Sequence, residues 1–132
     1  MPSSLHSDER LEVSVIVPCF NTAQYLDQCL KSIEADDLAS LEVIVLNDGS
    51  TDNSLEIMRH HERLDSRIRV IDKANQGYGA TVNRGIEESR GAYIAIVEPD
   101  DYLKPGMYTS LMGLARTYGE PDIVKSAYWR VC

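Results

Sequence analysis

Short runs of β-branched residues alternate along this chain with segments that carry apolar residues at helical spacing. The pattern predicts strands at 12–17, 41–46, 67–71, 93–97 and 123–125, and helices at 22–35, 52–64, 80–89 and 107–118. Strands and helices that alternate in this way form right-handed crossovers and a mostly parallel sheet with helices on both faces. The sequence therefore predicts an α/β fold of the Rossmann-like, three-layer αβα kind.

The length and composition suit one soluble domain. The chain has 132 residues, which is enough for a single core. Residues 1–10 are polar and predict a flexible tail, and residues 11–132 predict the domain. The net charge of -8 argues against a surface built to bind nucleic acid. No apolar run approaches the roughly 20 residues that span a bilayer.

The three cysteines, Cys19, Cys29 and Cys132, form neither a C-x-x-C pair nor a metal-binding spacing. An odd number of cysteines without a secretion signal indicates reduced thiols and a cytoplasmic protein. Cys19 follows a predicted strand, and we interpret it as a small, semi-buried side chain rather than a nucleophile.

An acidic cluster follows the apolar run at 92–97. Glu98, Asp100 and Asp101 are separated only by Pro99. Carboxylates this close repel one another unless a positive charge lies between them. Mg²⁺ and Mn²⁺ favour oxygen ligands and commonly bridge one or two carboxylates to the phosphates of a substrate. The cluster therefore predicts a site for Mg²⁺ or Mn²⁺ and a phosphorylated ligand, against the alternative of a solvated acidic turn.

Polar segments at 18–21, 47–52 and 98–101 follow three different predicted strands. The carboxyl ends of parallel strands share one edge of a sheet, and ligands bind there in open α/β sheets. The sequence contains neither a G-x-x-x-x-G-K-[ST] loop nor a G-x-G-x-x-G fingerprint after the first strand. We therefore expect a metal, rather than a glycine loop, to hold the phosphates.

Four motifs, in this order, resemble those of the family 2 glycosyltransferases, which have the GT-A fold. They are V-S-V-I-V-P-C-F-N, V-I-V-L-N-D-G-S-T-D, N-Q-G-Y-G-A-T-V-N-R-G and G-A-Y-I-A-I-V-E-P-D-D. The resemblance covers about residues 12 to 130. It implies a nucleotide-sugar donor, most often a uridine diphosphate sugar, and transfer with inversion to a saccharide, lipid or protein acceptor. Cell-surface polysaccharide or glycoconjugate synthesis is the implied setting.

The resemblance also assigns roles to individual residues. Asp100 is implied as the main metal ligand, with Glu98 and Asp101 in support. Asp48 is implied to contact the base or ribose, and the loop at 75–79 to close over the nucleotide. The residues implied to bind the donor are Pro18, Phe20, Asn21, Asp48, Asn75, Gly77 and Gly79.

The chain departs from the family pattern at three points. Phe20 stands where Tyr is frequent, and Glu98 stands where Asp is common. The family's enzymes usually extend well beyond residue 132, and their later half supplies the acceptor site and a carboxylate base. We therefore expect this chain to be the donor-binding part of a larger enzyme, with the base absent from it and Asp122 a solvated turn residue. An exposed flank of the sheet, a homodimer through it and membrane association of a longer protein follow as expectations.

Two other functions stay open at this point. One is a non-catalytic module that binds a nucleotide sugar or a partner on the same fold. The other is a phosphoacceptor domain of the receiver type, although such domains cluster acids after the first strand, where this chain has residues 18–21.

Several side chains are expected to have structural roles only. His60 and His61 fall on a charged helix surface, where we expect them to be solvated. Ser50 or Thr51 is expected to cap the second helix. Tyr78 and Tyr93 are expected to pack rather than to form a platform for a sugar, and Arg84 is expected to be a solvated charge rather than a phosphate contact.

Overall fold

The structure is a computed structural model that describes residues 11–100. Four strands, β1 (Val13–Cys19), β2 (Leu41–Asp48), β3 (Ile68–Lys73) and β4 (Tyr93–Ile96), alternate with three helices, α1 (Ala23–Glu34), α2 (Ser54–Leu64) and α3 (Tyr78–Glu88). The strands form one parallel sheet in the order β3-β2-β1-β4. The predicted α/β fold is confirmed. The predictions for residues 1–10, for Asp101, for a helix at 107–118 and for a strand at 123–125 lie outside the described residues.

The core lies on both faces of β1 and β2, whose residues are all buried. Val15 and Val17 belong to the larger cluster, with apolar side chains of α1 and α2. Ile16 packs with Ile44 on the opposite face, where α3 crosses the sheet. Because both faces are covered, these strands are mostly apolar rather than alternating between apolar and polar residues, and their polar side chains, such as Ser14 and Glu42, are buried too.

The helices are amphipathic. Leu26, Leu30 and Ile33 recur at helical spacing in α1 and are fully buried. Burying a side chain of this size contributes about 1.5–3 kcal/mol relative to leaving it exposed. Tyr25, which precedes Leu26 in the same helix, is 47% exposed.

The strand order creates a switch point between β1 and β4. From β1 the chain moves to β2 and β3 on one side, and α3 then carries it back across the sheet to β4 on the other. Loops that leave neighbouring strands toward opposite faces open a crevice beyond their carboxyl ends. In this fold the crevice lies between the residues after Cys19 and those after Ile96.

β2 and β3 extend further than the sequence predicts. β2 continues through Asn47 and Asp48, and β3 continues through Lys73. In the parallel register Asp48 pairs with Lys73 and Asn47 with Asp72. Polar residues expected in loops therefore belong to the sheet.

The solvated position predicted for His61 is wrong. Its ring is fully buried between α1 and α2, with Nε2 2.8 Å from Asp27 Oδ1 and Nδ1 against Glu34 Oε2. Polarity alone suggested a surface position, but the two carboxylates compensate the buried imidazole. His60 is exposed, as expected.

The predicted cap of α2 and the predicted start of α3 are also corrected. Asn53, rather than Ser50 or Thr51, occupies the position before α2, and it makes no side-chain cap. Asp52 Oδ1 instead accepts the backbone N–H of Ser54 at 3.0 Å. Helix α3 begins at Tyr78, so Gly79 lies inside the helix rather than in the preceding loop.

One edge of the described sheet carries an apolar strip. β4 ends the strand order within residues 11–100, and its Ile94 and Ile96 are 46% and 42% exposed. The exposed flank and the homodimer through it that the sequence leads us to expect stay predictions. No helix of the described part of the chain is long and apolar enough to cross a membrane.

Candidate functional site

A pocket of about 210 Å³ lies at the carboxyl edge of the sheet. Its walls come from the residues that end β1 and β2 or follow β1 and β3, and from the first turn of α3. The lining residues are Pro18, Cys19, Phe20, Asp48, Asn75, Gly77, Tyr78 and Thr81. Five of the seven residues predicted to bind a donor, namely Pro18, Phe20, Asp48, Asn75 and Gly77, therefore meet around one cavity.

Asp48 is a buried carboxylate in the wall of this pocket, and several hydrogen-bond donors surround it. Its Oδ1 accepts hydrogen bonds from Lys73 Nζ at 2.6 Å and from the backbone N–H of Gln76 at 2.8 Å. Its Oδ2 accepts the backbone N–H of Gly77 at 3.0 Å. Burial alone would raise the pKa of Asp48, but these hydrogen bonds outweigh it and hold that pKa below its ordinary value. The carboxylate is therefore ionised at neutral pH.

The same contacts limit what Asp48 can offer a ligand. A carboxylate has about four acceptor sites. Lys73, Gln76 and Gly77 use three of them, and the side chain of Thr81 is a further hydrogen-bond partner. Asp48 therefore shapes the loop at 75–77 and the start of α3 first. The sequence analysis did not predict that Lys73 pairs with Asp48. A lysine near the end of a strand, close to the same sheet edge as Asp48, could have indicated this pair.

Two glycines allow this loop to approach β2. Gly49 has φ +71°, and a Cβ there would lie 2.7 Å from the backbone nitrogen of Asn75. Asn75 then donates its side-chain N–H to the backbone oxygen of Asp48 at 2.9 Å. Gly77 has φ +97°, a conformation that favours glycine, immediately before α3. Gly77 therefore makes the turn and also lines the pocket.

Asn21 and Gly79 are not among the lining residues. The side-chain oxygen Oδ1 of Asn21 accepts a hydrogen bond from the backbone N–H of Thr51 at 2.7 Å. The backbone N–H of Asn21 donates to Ser50 Oγ at 2.9 Å. It therefore ties the loop after β1 to the loop after β2. A Cβ on Gly79 would meet open space.

Cys19 cannot serve as a nucleophile in this setting. Burial raises the pKa of the Cys19 thiol to about 12, although a hydrogen bond with Thr22 opposes the rise. The nearby Glu98 and Asp52 carboxylates raise it further. The thiol stays protonated at neutral pH, and it is fully buried rather than semi-buried.

Carboxylates stand at the end of β4, where the sequence predicts a metal site. Glu98 is half-buried and Asp100 is exposed, and Asp101 lies outside the described residues. Within residues 11–100 no three side chains form a metal-binding group. Two carboxylates beside a crevice still fit Mg²⁺ or Mn²⁺, because these cations commonly take one or two protein carboxylates and complete their coordination with phosphate or water.

Tyr78 connects this acidic segment to the pocket. Its hydroxyl donates to Glu98 Oε2 at 2.6 Å, while the residue is 57% exposed and lines the cavity. The prediction that Tyr78 only packs is therefore wrong. Tyr93 is partly buried against the core, and Arg84 is a surface charge paired with Glu88 at 3.1 Å, as expected.

Comparisons with known proteins agree with this geometry. The model of the family described as glycosyl transferase family 2 matches residues 14–130. The putative glycosyltransferase EpsH of Bacillus subtilis (strain 168) is 38% identical over 117 residues, which are 88% of this chain and 33% of EpsH. The chain thus spans about a third of that relative's length.

Solved structures share the fold. The S. aureus TarS 1-349 structure in complex with UDP-GlcNAc matches with a TM-score of 0.77 and 26% identity, over 82% of this chain and 32% of that one. The mannosyltransferase PcManGT of Pyrobaculum calidifontis, in complex with GDP-Man and Mn²⁺, matches with a TM-score of 0.68 and 23% identity, over 75% of this chain and 30% of that one. At that identity the second likeness concerns the fold alone. The family match and the relative together show that this chain belongs to glycosyl transferase family 2.

Proposed function

We propose that this chain binds the nucleoside diphosphate sugar of a glycosyltransferase, with uridine diphosphate sugars as the expected donors. One observation carries the proposal: a pocket at the carboxyl ends of β1 and β2 has an aromatic ring on one wall, and carboxylates follow β4, which is the neighbour of β1. TarS, a structure of the same fold at 26% identity, holds UDP-GlcNAc.

The base and ribose belong in the pocket. Phe20 is 50% exposed beside the cavity, and an open aromatic face can stack on a nucleobase. Asp48 also lines the cavity, and a carboxylate accepts hydrogen bonds from N–H and hydroxyl groups such as those of a nucleoside. Pro18 and Gly77 complete the walls around it.

The diphosphate belongs at the end of β4, with a divalent cation held by Asp100, Glu98 and Asp101. A bound Mg²⁺ or Mn²⁺ would neutralise charge that develops on the leaving diphosphate. The net charge of -8 makes such a cation useful, because the protein's own field repels phosphates.

The proposed acceptor is a hydroxyl group of a saccharide, lipid or protein. The sugar is transferred to this hydroxyl with inversion, during polysaccharide or glycoconjugate synthesis. The base that deprotonates this hydroxyl is proposed to come from outside the chain, which spans about a third of the length of EpsH. The cytoplasm is the proposed compartment, in keeping with the odd number of cysteines in the sequence.

Calorimetric titration of uridine diphosphate tests the donor site. Binding is measured with and without Mn²⁺ on the protein, on Asp100→Asn and on the control Asp37→Asn, whose exposed carboxylate follows α1. We expect Mn²⁺ to tighten binding about tenfold or more, worth about 1.4 kcal/mol, in the protein and in the control.

The expected result for Asp100→Asn is loss of this metal-dependent gain with metal-free binding unchanged. Absence of binding in every case would contradict a donor site in this chain. Binding that Mn²⁺ does not strengthen would contradict the metal assignment only. Guanosine diphosphate in the same titration would show whether the base is selected.

A further inference from the structure

Tyr78 and Glu98 form a link that spans the proposed donor site. The Tyr78 hydroxyl donates to Glu98 Oε2 at 2.6 Å. A hydrogen bond to an ionised carboxylate is shorter and about twice as strong as one between neutral groups. The bond joins the first residue of α3, which lines the pocket, to the acidic segment after β4.

The backbone is fixed at both ends of this link. On one side the N–H of Gly77, just before Tyr78, is held by Asp48, and the C=O of Gly77 accepts the N–H of Thr81 at 3.1 Å. On the other side Val97, just before Glu98, donates its N–H to the backbone oxygen of Ile16 at 2.9 Å. The phenol therefore reaches Glu98 from the start of a helix whose preceding residue is held by hydrogen bonds.

The bond leaves the two oxygens of Glu98 in different states. Oε2 is engaged by the phenol, whereas no hydrogen bond or ion pair from the described residues involves Oε1. A glutamate side chain has more rotatable bonds than an aspartate, so it loses more freedom when it becomes a ligand. A partner that fixes one oxygen in advance lowers that cost and directs the other oxygen outward.

We propose that Tyr78 is a positioning residue for the metal: it holds Glu98 through one oxygen so that the other is presented to the divalent cation. This inference rests on the proposed function, because it needs a cation at the end of β4. Partners that orient a metal ligand through a hydrogen bond are commonly worth 10–100-fold in metal affinity. Tyr78 thereby couples the loop that surrounds the nucleotide to the carboxylate that binds the metal.

Tyr78→Phe tests the inference, since it removes the hydroxyl and keeps the ring on the pocket wall. Uridine diphosphate is titrated with and without Mn²⁺ on the protein, on this variant and on the matched control Tyr25→Phe, an exposed ring on α1. Both variants keep the aromatic ring, so we expect the metal-free affinity for uridine diphosphate to be similar in all three. The gain from Mn²⁺ is expected to fall about tenfold in Tyr78→Phe alone.

A double-variant cycle separates positioning from direct ligand contact. If Tyr78 acts through Glu98, then Tyr78→Phe combined with Glu98→Gln should lose no more of the Mn²⁺ gain than Glu98→Gln by itself. Additive losses would overturn the inference. A full Mn²⁺ gain in Tyr78→Phe would overturn it too and leave the proposed function standing. No Mn²⁺ gain in the unaltered protein would overturn both the metal assignment and this inference.

Discussion

Lys73 Nζ lies 2.6 Å from Asp48 Oδ1, and the two side chains are 7% and 5% exposed. The register of β2 and β3 makes this pair, because Asp48 and Lys73 are directly opposite in the parallel ladder. Lys73 also donates to Thr81 Oγ1 at 3.2 Å. One buried ion pair thus joins two strands to the first turn of α3.

Lys73→Met should destabilise the protein by about 3–5 kcal/mol, because it leaves the carboxylate of Asp48 buried without its cation. Chemical unfolding followed by circular dichroism measures the change. The control is Lys31→Met, which breaks an ion pair with Asp27 on the surface of α1. We expect no measurable change there, since exposed pairs contribute little. Equal effects of the two variants would refute this view of the buried pair.

The pH dependence of stability should report Asp48. The pKa of Asp48 is held below its ordinary value of 3.8. Its interactions therefore contribute stability that is fully present above pH 3.8 and is lost as the pH falls through the lower, folded-state value. Asp48→Asn should have a lower free energy of unfolding than the unaltered protein at pH 7. The difference between the two free energies should become smaller below pH 3.8.

Free energies of unfolding from denaturant titrations at a series of pH values check this expectation. Other carboxyl groups with lowered pKa values, Asp52 and Asp65 among them, remain in the variant, so its free energy of unfolding still falls as the pH is lowered. Asp37→Asn is the control and should run parallel to the unaltered protein. A gap that stays constant down to pH 2 would be evidence against the ion pair in solution.

Gly85→Ala should destabilise the packing of α3 on the sheet. A Cβ at this position would lie 2.6 Å from Cγ2 of Ile16, which is fully buried. Forcing a methyl group into a filled core costs about 1–3 kcal/mol. Differential scanning calorimetry should show a lower melting temperature.

The same substitution in the same helix provides the comparison. Gly79→Ala adds its Cβ in open space, and alanine is favoured over glycine in helices by at most about 1 kcal/mol. We expect an equal or higher melting temperature for it. If both variants lost stability alike, backbone strain common to the two positions, rather than contact with Ile16, would be the cause.

His61→Leu should weaken the contact between α1 and α2. The variant leaves Asp27 and Glu34 facing an apolar side chain in place of the ring nitrogens. Losing such a partner costs about 1–3 kcal/mol. His60→Leu, at the exposed neighbouring position, should leave the unfolding midpoint unchanged. Hydrogen exchange in α1 faster than in the control would locate the loss, and unchanged exchange would count against the contact.

How far the sequence predicted the site can be judged from single residues. Phe20 and Asp48 were assigned to one edge of the sheet from strand ends alone, and both line the pocket. His61 was misplaced, because a charged helix surface and a buried histidine with two carboxylate partners have the same local sequence. The capping expectation failed at Ser50 and Thr51, where loop contacts with Asn21 override the local preference.

The alternation of apolar runs by itself determined that this chain forms a parallel α/β sheet, and its polar strand ends determined which edge carries the site. Both follow from short-range chemistry, namely side-chain periodicity and turn preferences. Only the tertiary structure decided that Lys73 meets Asp48 and that Tyr78 reaches Glu98 across 20 residues. Such pairs depend on strand order and register, which many distant contacts set together, and no local pattern in the sequence encodes them.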